Sequence, residues 1–238
     1  MEEATESRRD RRSPEPRRRT AKVIAITSAA AVAAIGITGT LAAWNDTEWV
    51  HGALSAGGDE PAIGTSTFEV QQNTGTAGAW VDQETNPGGA IVFSAPASAL
   101  TPGDTTYAEV ALKTTAASVA GDVTLDPAVL ATGITATDPN GLLFAALEVR
   151  VATATTAFSC DATAFDGTQT GLTAIAAGAL SSTGGSASQH LDAAGGSTQY
   201  YCFEISLPSP LVPASGYAID DYMGRSLSPA WKFDAVSD

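Results

Sequence analysis

Apolar and β-branched residues along this chain fall in short runs cut by Gly, Pro, Asn, Asp and Ser. That punctuation belongs to strands and turns rather than to long helices. The runs predict strands over 63–72, 78–83, 90–94, 105–115, 118–126, 144–153, 198–207 and 228–236. Alternation is cleanest in three of them. Leu147, Val149 and Val151 share one face, as do Tyr201, Phe203, Ile205 and Leu207, and Trp231, Phe233 and Ala235. Period two with polar residues between means one face buried and one wet. Such strands predict an all-β domain, a two-sheet antiparallel sandwich of jelly-roll type with its sheets about 10 Å apart. Residues 127–132 and 164–180 read as short helical turns. The Gly/Ser/Ala-rich stretch 178–197 reads as an exposed mobile loop. Residues 44–62 read as a flexible segment ahead of a single domain over 63–238, with no repeat at solenoid periods.

The N-terminus breaks this pattern. From Val23 to Asn45 runs a segment of 23 uncharged residues. Ahead of it, residues 1–22 hold eight of the chain's twelve basic residues and five acids, a balance of +3. A basic flank, an apolar stretch and small residues before a polar region are the three components of an export signal. The segment is also long enough to span a bilayer as a helix, where about 20 residues suffice. It therefore reads either as a cleaved signal peptide, basic over residues 1–22 and apolar over residues 23–43, or as a retained anchor. The positive flank places the N-terminus in the cytoplasm in both cases. Arg18-Arg19 is followed by Thr-Ala-Lys, without the apolar pair a twin-arginine signal calls for.

With the leader removed, charge changes meaning. The whole chain is −14, but residues 44–238 carry four bases and 21 acids, a net −17. This excludes a broad basic face for nucleic acid and charge-driven binding to an anionic membrane. Membrane contact is expected only through the leader before cleavage.

Gly39-Thr40-Leu41-Ala42-Ala43-Trp44-Asn45-Asp46-Thr47-Glu48 resembles the signal region of proteins processed by the SipW-type signal peptidase, the TasA/camelysin family. The resemblance implies cleavage between Ala43 and Trp44, leaving 195 residues. It extends into the chain. Leu100-Thr101-Pro102-Gly103-Asp104 is similar to the family's L-x-P-G-D turn. Pro102 presets its φ, Gly103 permits a positive φ, and Asp104 can accept from nearby backbone N–H groups. Ile63-Gly64-Thr65-Ser66-Thr67-Phe68-Glu69-Val70 is similar to the family's first strand, and Tyr222-Met223-Gly224-Arg225-Ser226 to its closing motif. The resemblance is weak over 127–197, and Ala116-Ala117-Ser118 stands where the family often has Asn-x-Gly.

Candidate chemistry is sparse. Cys160 and Cys202 are the two cysteines, and an even pair in an exported chain suggests a disulfide. Free thiols, reactive or metal-binding, are the rival reading. Cys202 falls between Tyr201 and Phe203, so its bridge is expected on the face opposite the apolar one. Camelysin-type proteins are classed as metallopeptidases, yet His51 and His190 are the two histidines and neither lies in H-E-x-x-H. Both read as exposed loop residues, so no catalytic residue, metal site or cofactor is expected. Asp59-Glu60 and Asp220-Asp221 lack the spacing of a calcium loop and read as solvated charge.

Trp44, Trp49, Val50 and Leu54 follow the expected cut. A tethered apolar segment that cannot fold alone can add as a strand to the edge of another subunit. The resemblance implies such assembly into extracellular fibres. The sequence thus points first to a secreted structural fibre subunit that self-associates, with a secreted peptidase or a monomeric surface adhesion module as alternatives. N-terminal sequencing of protein recovered from culture medium is expected to begin at Trp44, whereas an intact leader on the chain would support the anchor.

Overall fold

The computed structural model describes Glu48, Ser55, residues 62–75 and residues 79–238. The chain divides into two units, Met1–Glu60 and Pro61–Asp238, and every element below belongs to the second. The expected leader, its Ala43/Trp44 junction and the donor residues Trp44, Trp49, Val50 and Leu54 lie outside the described residues, as do His51 and Asp59-Glu60.

In chain order the elements are β1 (Val70–Asn73), β2 (Thr105–Thr114), β3 (Gly121–Leu125), β4 (Val129–Leu130), the helix α1 (Leu142–Ala146), β5 (Glu148–Ala154), β6 (Thr173–Ala179), β7 (Gln189–Leu191), β8 (Gln199–Ser206), β9 (Pro229–Ala230) and β10 (Phe233–Ser237). A five-stranded sheet runs β1-β2-β8-β5-β6, a three-stranded sheet runs β10-β3-β7, and β4 pairs with β9. All strand pairs are antiparallel. The fold is therefore all-β and sandwich-like. Among the described residues no helix is long and apolar enough to cross a membrane.

The core lies between the two larger sheets. Val149, Val151, Tyr201, Phe203 and Ile205 of the large sheet meet Val123, Leu125 and Leu191 of the small one. Phe233 packs on Tyr201 with ring centroids 4.8 Å apart, and Trp231 packs on Phe203 at 4.5 Å. The period-two faces expected around Val149 and Phe203 are thus buried. The third face is only partly so: Trp231 and Phe233 are half-buried, but Ala235 is exposed. Tyr201 is held in apolar surroundings, and burial pushes its phenol pKa up.

The Pro102-Gly103-Asp104 turn sets the start of β2. Asp104 Oδ2 accepts from the Thr101 backbone N–H at 2.7 Å and from the Thr101 hydroxyl at 2.8 Å. These bonds hold its carboxyl below the usual range. Gly103 takes φ +100° and donates to Leu207 O at 2.7 Å, while Leu207 donates back to Asp104 O at 3.1 Å. The turn therefore locks the entry of β2 to the exit of β8.

Five expectations change. The Ala-rich 164–180 stretch favours helix by propensity, yet Thr173–Ala179 forms β6 on the edge of the large sheet, where pairing with β5 prevails. Residues 127–132 give β4 instead of a turn. The stretch 178–197 is no open loop: it holds β7 and a 3₁₀ turn, Ala193–Gly195. The residues before β5 form α1, whose Leu143 and Phe144 N–H groups both donate to the Asp138 carboxylate at 2.9 Å. The strands expected over 78–83 and 90–94 reduce to an isolated bridge, Gln72 with Val81, and to the Ser94 N–H bonded to Tyr107 O.

Gly121 shows how tightly the small sheet is built. A Cβ there would meet the Val236 carbonyl oxygen and would lie 2.6 Å from the Phe68 ring. Gly121→Ala is expected to lower stability by about 1–3 kcal/mol through this overpacking, read by urea denaturation. An unchanged midpoint would contradict the packing described.

Candidate functional site

The side chains that do not face the core mark the candidate site. Along β8, Tyr200, Cys202 and Glu204 point to the outer face of the large sheet, opposite Tyr201, Phe203 and Ile205. Their registered neighbours are Ala111, Glu109 and Tyr107 on β2 and Ala154, Ala152 and Arg150 on β5. An outer face would normally be wet. Here Cys202 is fully buried and Glu204 only 5% exposed, because the segment after β5 folds back as a strap.

A disulfide and the Phe165 ring hold the strap, the ring resting on an ion pair of the sheet. The Cys160–Cys202 disulfide is formed, with Cα atoms 5.2 Å apart, as the sequence suggests. Arg150 Nε and Nη2 donate to the two Glu204 carboxylate oxygens at 2.5 and 2.7 Å. This bidentate pair raises the guanidinium pKa further above its already high range. The Phe165 ring then stacks on Tyr107 at 6.2 Å and lies under the Arg150 guanidinium at 4.8 Å. Burial, and next the negative charge of Glu204, push the Tyr107 phenol pKa up. Asp161 caps the 3₁₀ turn of the strap through the Thr163 N–H at 2.8 Å.

Where the strap stops short of β1, it leaves a cleft of about 400 Å³ lined by Asn73, Trp80, Glu109, Phe158, Cys160 and Tyr200. Lys113 Nζ sits 4.2 Å over the Trp80 ring at its margin. Among the described residues Glu109 is the single carboxylate of that lining, and no imidazole belongs to it. Such a mixture of aromatic faces with a few polar groups suits binding.

The other residues singled out in the sequence are scattered. Pro102, Gly103 and Asp104 serve the β2–β8 junction. Asp221 accepts from the Ala218 N–H at 2.7 Å and caps its own 3₁₀ turn. Arg225 of the closing motif donates to Asp138 at 2.7 Å, in a pair whose side chains are 9% and 2% exposed. His190 lies on β7, not in a loop, with Nδ1 3.0 Å from Asp122 Oδ1. The Arg150–Glu204 pair escaped sequence reading. Its signal was Glu204, an acid inside the apolar run Tyr200–Leu207 of a chain with few bases.

No protein-family model matches the chain, and no curated protein matches it. The disulfide itself fits an oxidising compartment. Replacing both cysteines by serine is expected to cost about 4 kcal/mol, since the bridge closes a loop with a sequence separation of 42. Urea unfolding reads this, and a loss under about 1 kcal/mol would show that the strap is held without the bridge.

Proposed function

We propose that the mature chain is a secreted, non-enzymatic structural subunit of biofilm-matrix or cell-surface fibres, of the TasA/camelysin type. In this reading a SipW-type signal peptidase releases it, the sandwich is a jelly roll, and copies assemble head-to-tail by strand donation from residues 44–56. The supporting observation is the edge of β10. The large sheet has five strands and the small one three, so the small sheet ends early, at β10.

The hydrogen-bond register shows which way this edge faces. Asp126 N donates to Lys232 O, and Asp238 N to Ala120 O. In an antiparallel ladder bonded pairs alternate with unbonded ones. The backbone groups at 234 and 236 therefore point to β3, and those of Phe233, Ala235 and Ser237 point away from it. Among the described residues nothing pairs with that outward row. Val236 is 69% exposed, and Ala235 is exposed on a face whose registered neighbour, Val123, is buried. An unpaired row beside an open apolar margin is a template for an added strand. Repeated head-to-tail addition that does not close gives a filament. The Trp44, Trp49, Val50 and Leu54 segment has the apolar content such a strand needs.

A second reading, a monomeric adhesion module, draws on the aromatic cleft beside Trp80 and Tyr200. Oligomeric state separates the two. Electron microscopy is expected to show filaments from 44–238 and none from 57–238. Ala235→Pro deletes only an outward N–H, leaves the β3 ladder intact, and is expected to reduce filament yield about 10-fold or more with the fold preserved by circular dichroism. Equal filaments from both lengths, or from A235P, would sink the strand-donation reading.

A further inference from the structure

The three-stranded sheet gathers metal-ligating groups on its outer face, away from the cleft. Asp122 on β3 is registered with His190 on β7 and with Val236 on β10. Because Asp122 directs its backbone bonds to β10, its pairing with His190 is the unbonded kind, in which side chains come closest. Asp238 follows β10 and is fixed by its N–H bond to Ala120 O at 3.1 Å. Three adjacent segments thus bring one imidazole and two carboxylates together. His190 Nδ1 stands 3.0 Å from Asp122 Oδ1 and 4.0 Å from Asp238 Oδ2, and one ligand atom from each of the three residues lies within 4.8 Å of the others.

We propose that Asp122, His190 and Asp238 bind a first-row divalent cation, with zinc as the best fit. Tetrahedral ligand bonds of about 2.0–2.2 Å place neighbouring ligand atoms about 3.3–3.6 Å apart. The 3.0 Å pair lies a few tenths of an ångström inside this spacing and the 4.0 Å pair a few tenths outside it, so small rotations of these half-exposed side chains bring all three ligands into range. Imidazole with carboxylate selects zinc and its neighbours over calcium and magnesium, which take all-oxygen shells. The other ring nitrogen, Nε2, faces Asp192 Oδ1 at 3.7 Å. A carboxylate hydrogen-bonded behind a ligating histidine fixes its ring and raises its basicity; Asp192, a few tenths of an ångström beyond hydrogen-bond reach, is placed as the positioning residue once the site closes on an ion.

The charges on this face also favour a cation. Asp122, Asp192 and Asp238 surround one imidazole, and like charges on neighbouring strands repel. The nearby base on this sheet, Lys232, is engaged by Asp126 at 3.1 Å and Asp234 at 2.8 Å. The imidazole nitrogen separates this cluster from the purely acidic pair Asp220-Asp221, whose Asp221 carboxylate is spent on a turn. Since the ligands come from β3, β7 and the end of β10, a bound ion would clamp all three strands of the small sheet.

The test is isothermal titration of ZnCl₂ into the purified secreted protein at pH 7.5, with CaCl₂ as the second arm and thermal melts in parallel. One zinc per chain is expected, together with a rise in Tm on zinc addition. Asp122→Asn and His190→Gln are each expected to weaken binding about 10-fold or more, Asp192→Asn about 10-fold, and Asp126→Asn not at all. His190 is half-exposed, so the zinc-free Tm of the His190→Gln variant should match that of the unsubstituted protein. His190→Ala serves as a second variant should the first melt early. No zinc binding at 100-fold excess, unchanged binding in both His190 variants, or calcium binding as tightly as zinc would each overturn the proposal.

Discussion

Strand β8 has to be covered on both faces, and the rest of the domain is arranged around that requirement. Its inner side chains, Tyr201, Phe203 and Ile205, need the small sheet. Its outer ones, Cys202 and Glu204, need the strap. A carboxylate at the centre of a sheet is costly to bury unless paired. Arg150, one strand away in register, supplies the pair in bidentate form. The disulfide then fixes the strap on the same strand two residues earlier. The aromatic cleft exists because the strap ends before it reaches β1.

The same requirement shapes the opposite side. The small sheet meets the inner face of β8 through Phe233 of β10 and the preceding Trp231, and it ends at β10. Phe233 and Trp231 fill the core, and two residues further on Ala235 is in solvent. The edge therefore lies where the core runs out. Lys232, held between Asp126 and Asp234, is the local base beside it. Residues 44–238 carry a net −17, so copies of the proposed mature chain would repel one another over a Debye length of about 8 Å. Assembly along this edge has to draw on backbone pairing and apolar contact, the two things β10 presents.

How much of this the sequence shows depends on whether an element is specified locally. β2, β5 and β8 are legible because each alternates over several residues and each is central, so burial enforces the pattern. The PGD turn is legible because Pro102, Gly103 and Asp104 each do one local task. β6 and β7 are not. Ala-rich Thr173–Ala179 and the three residues Gln189–Leu191 become strands only through their pairing with β5 and β3. For the same reason His190 reads as a loop residue, and its neighbour Asp122, 68 positions earlier, is found only once β3 and β7 pair. Trp231, Phe233 and Ala235 alternate as a buried face should. Nothing local says that the third of them lies past the margin of the core.

In the proposed fibre, copies join along the outward row of β10. Amide hydrogen exchange on the 44–238 protein, compared before and after assembly, addresses it directly. In the monomer the N–H groups of Phe233, Ala235 and Ser237 should exchange fast while those of β8 are the most protected. In the assembled state the same three amides should become protected and those of β8 stay unchanged. Assembly that leaves the three β10 amides exchanging as fast as in the monomer would contradict the account.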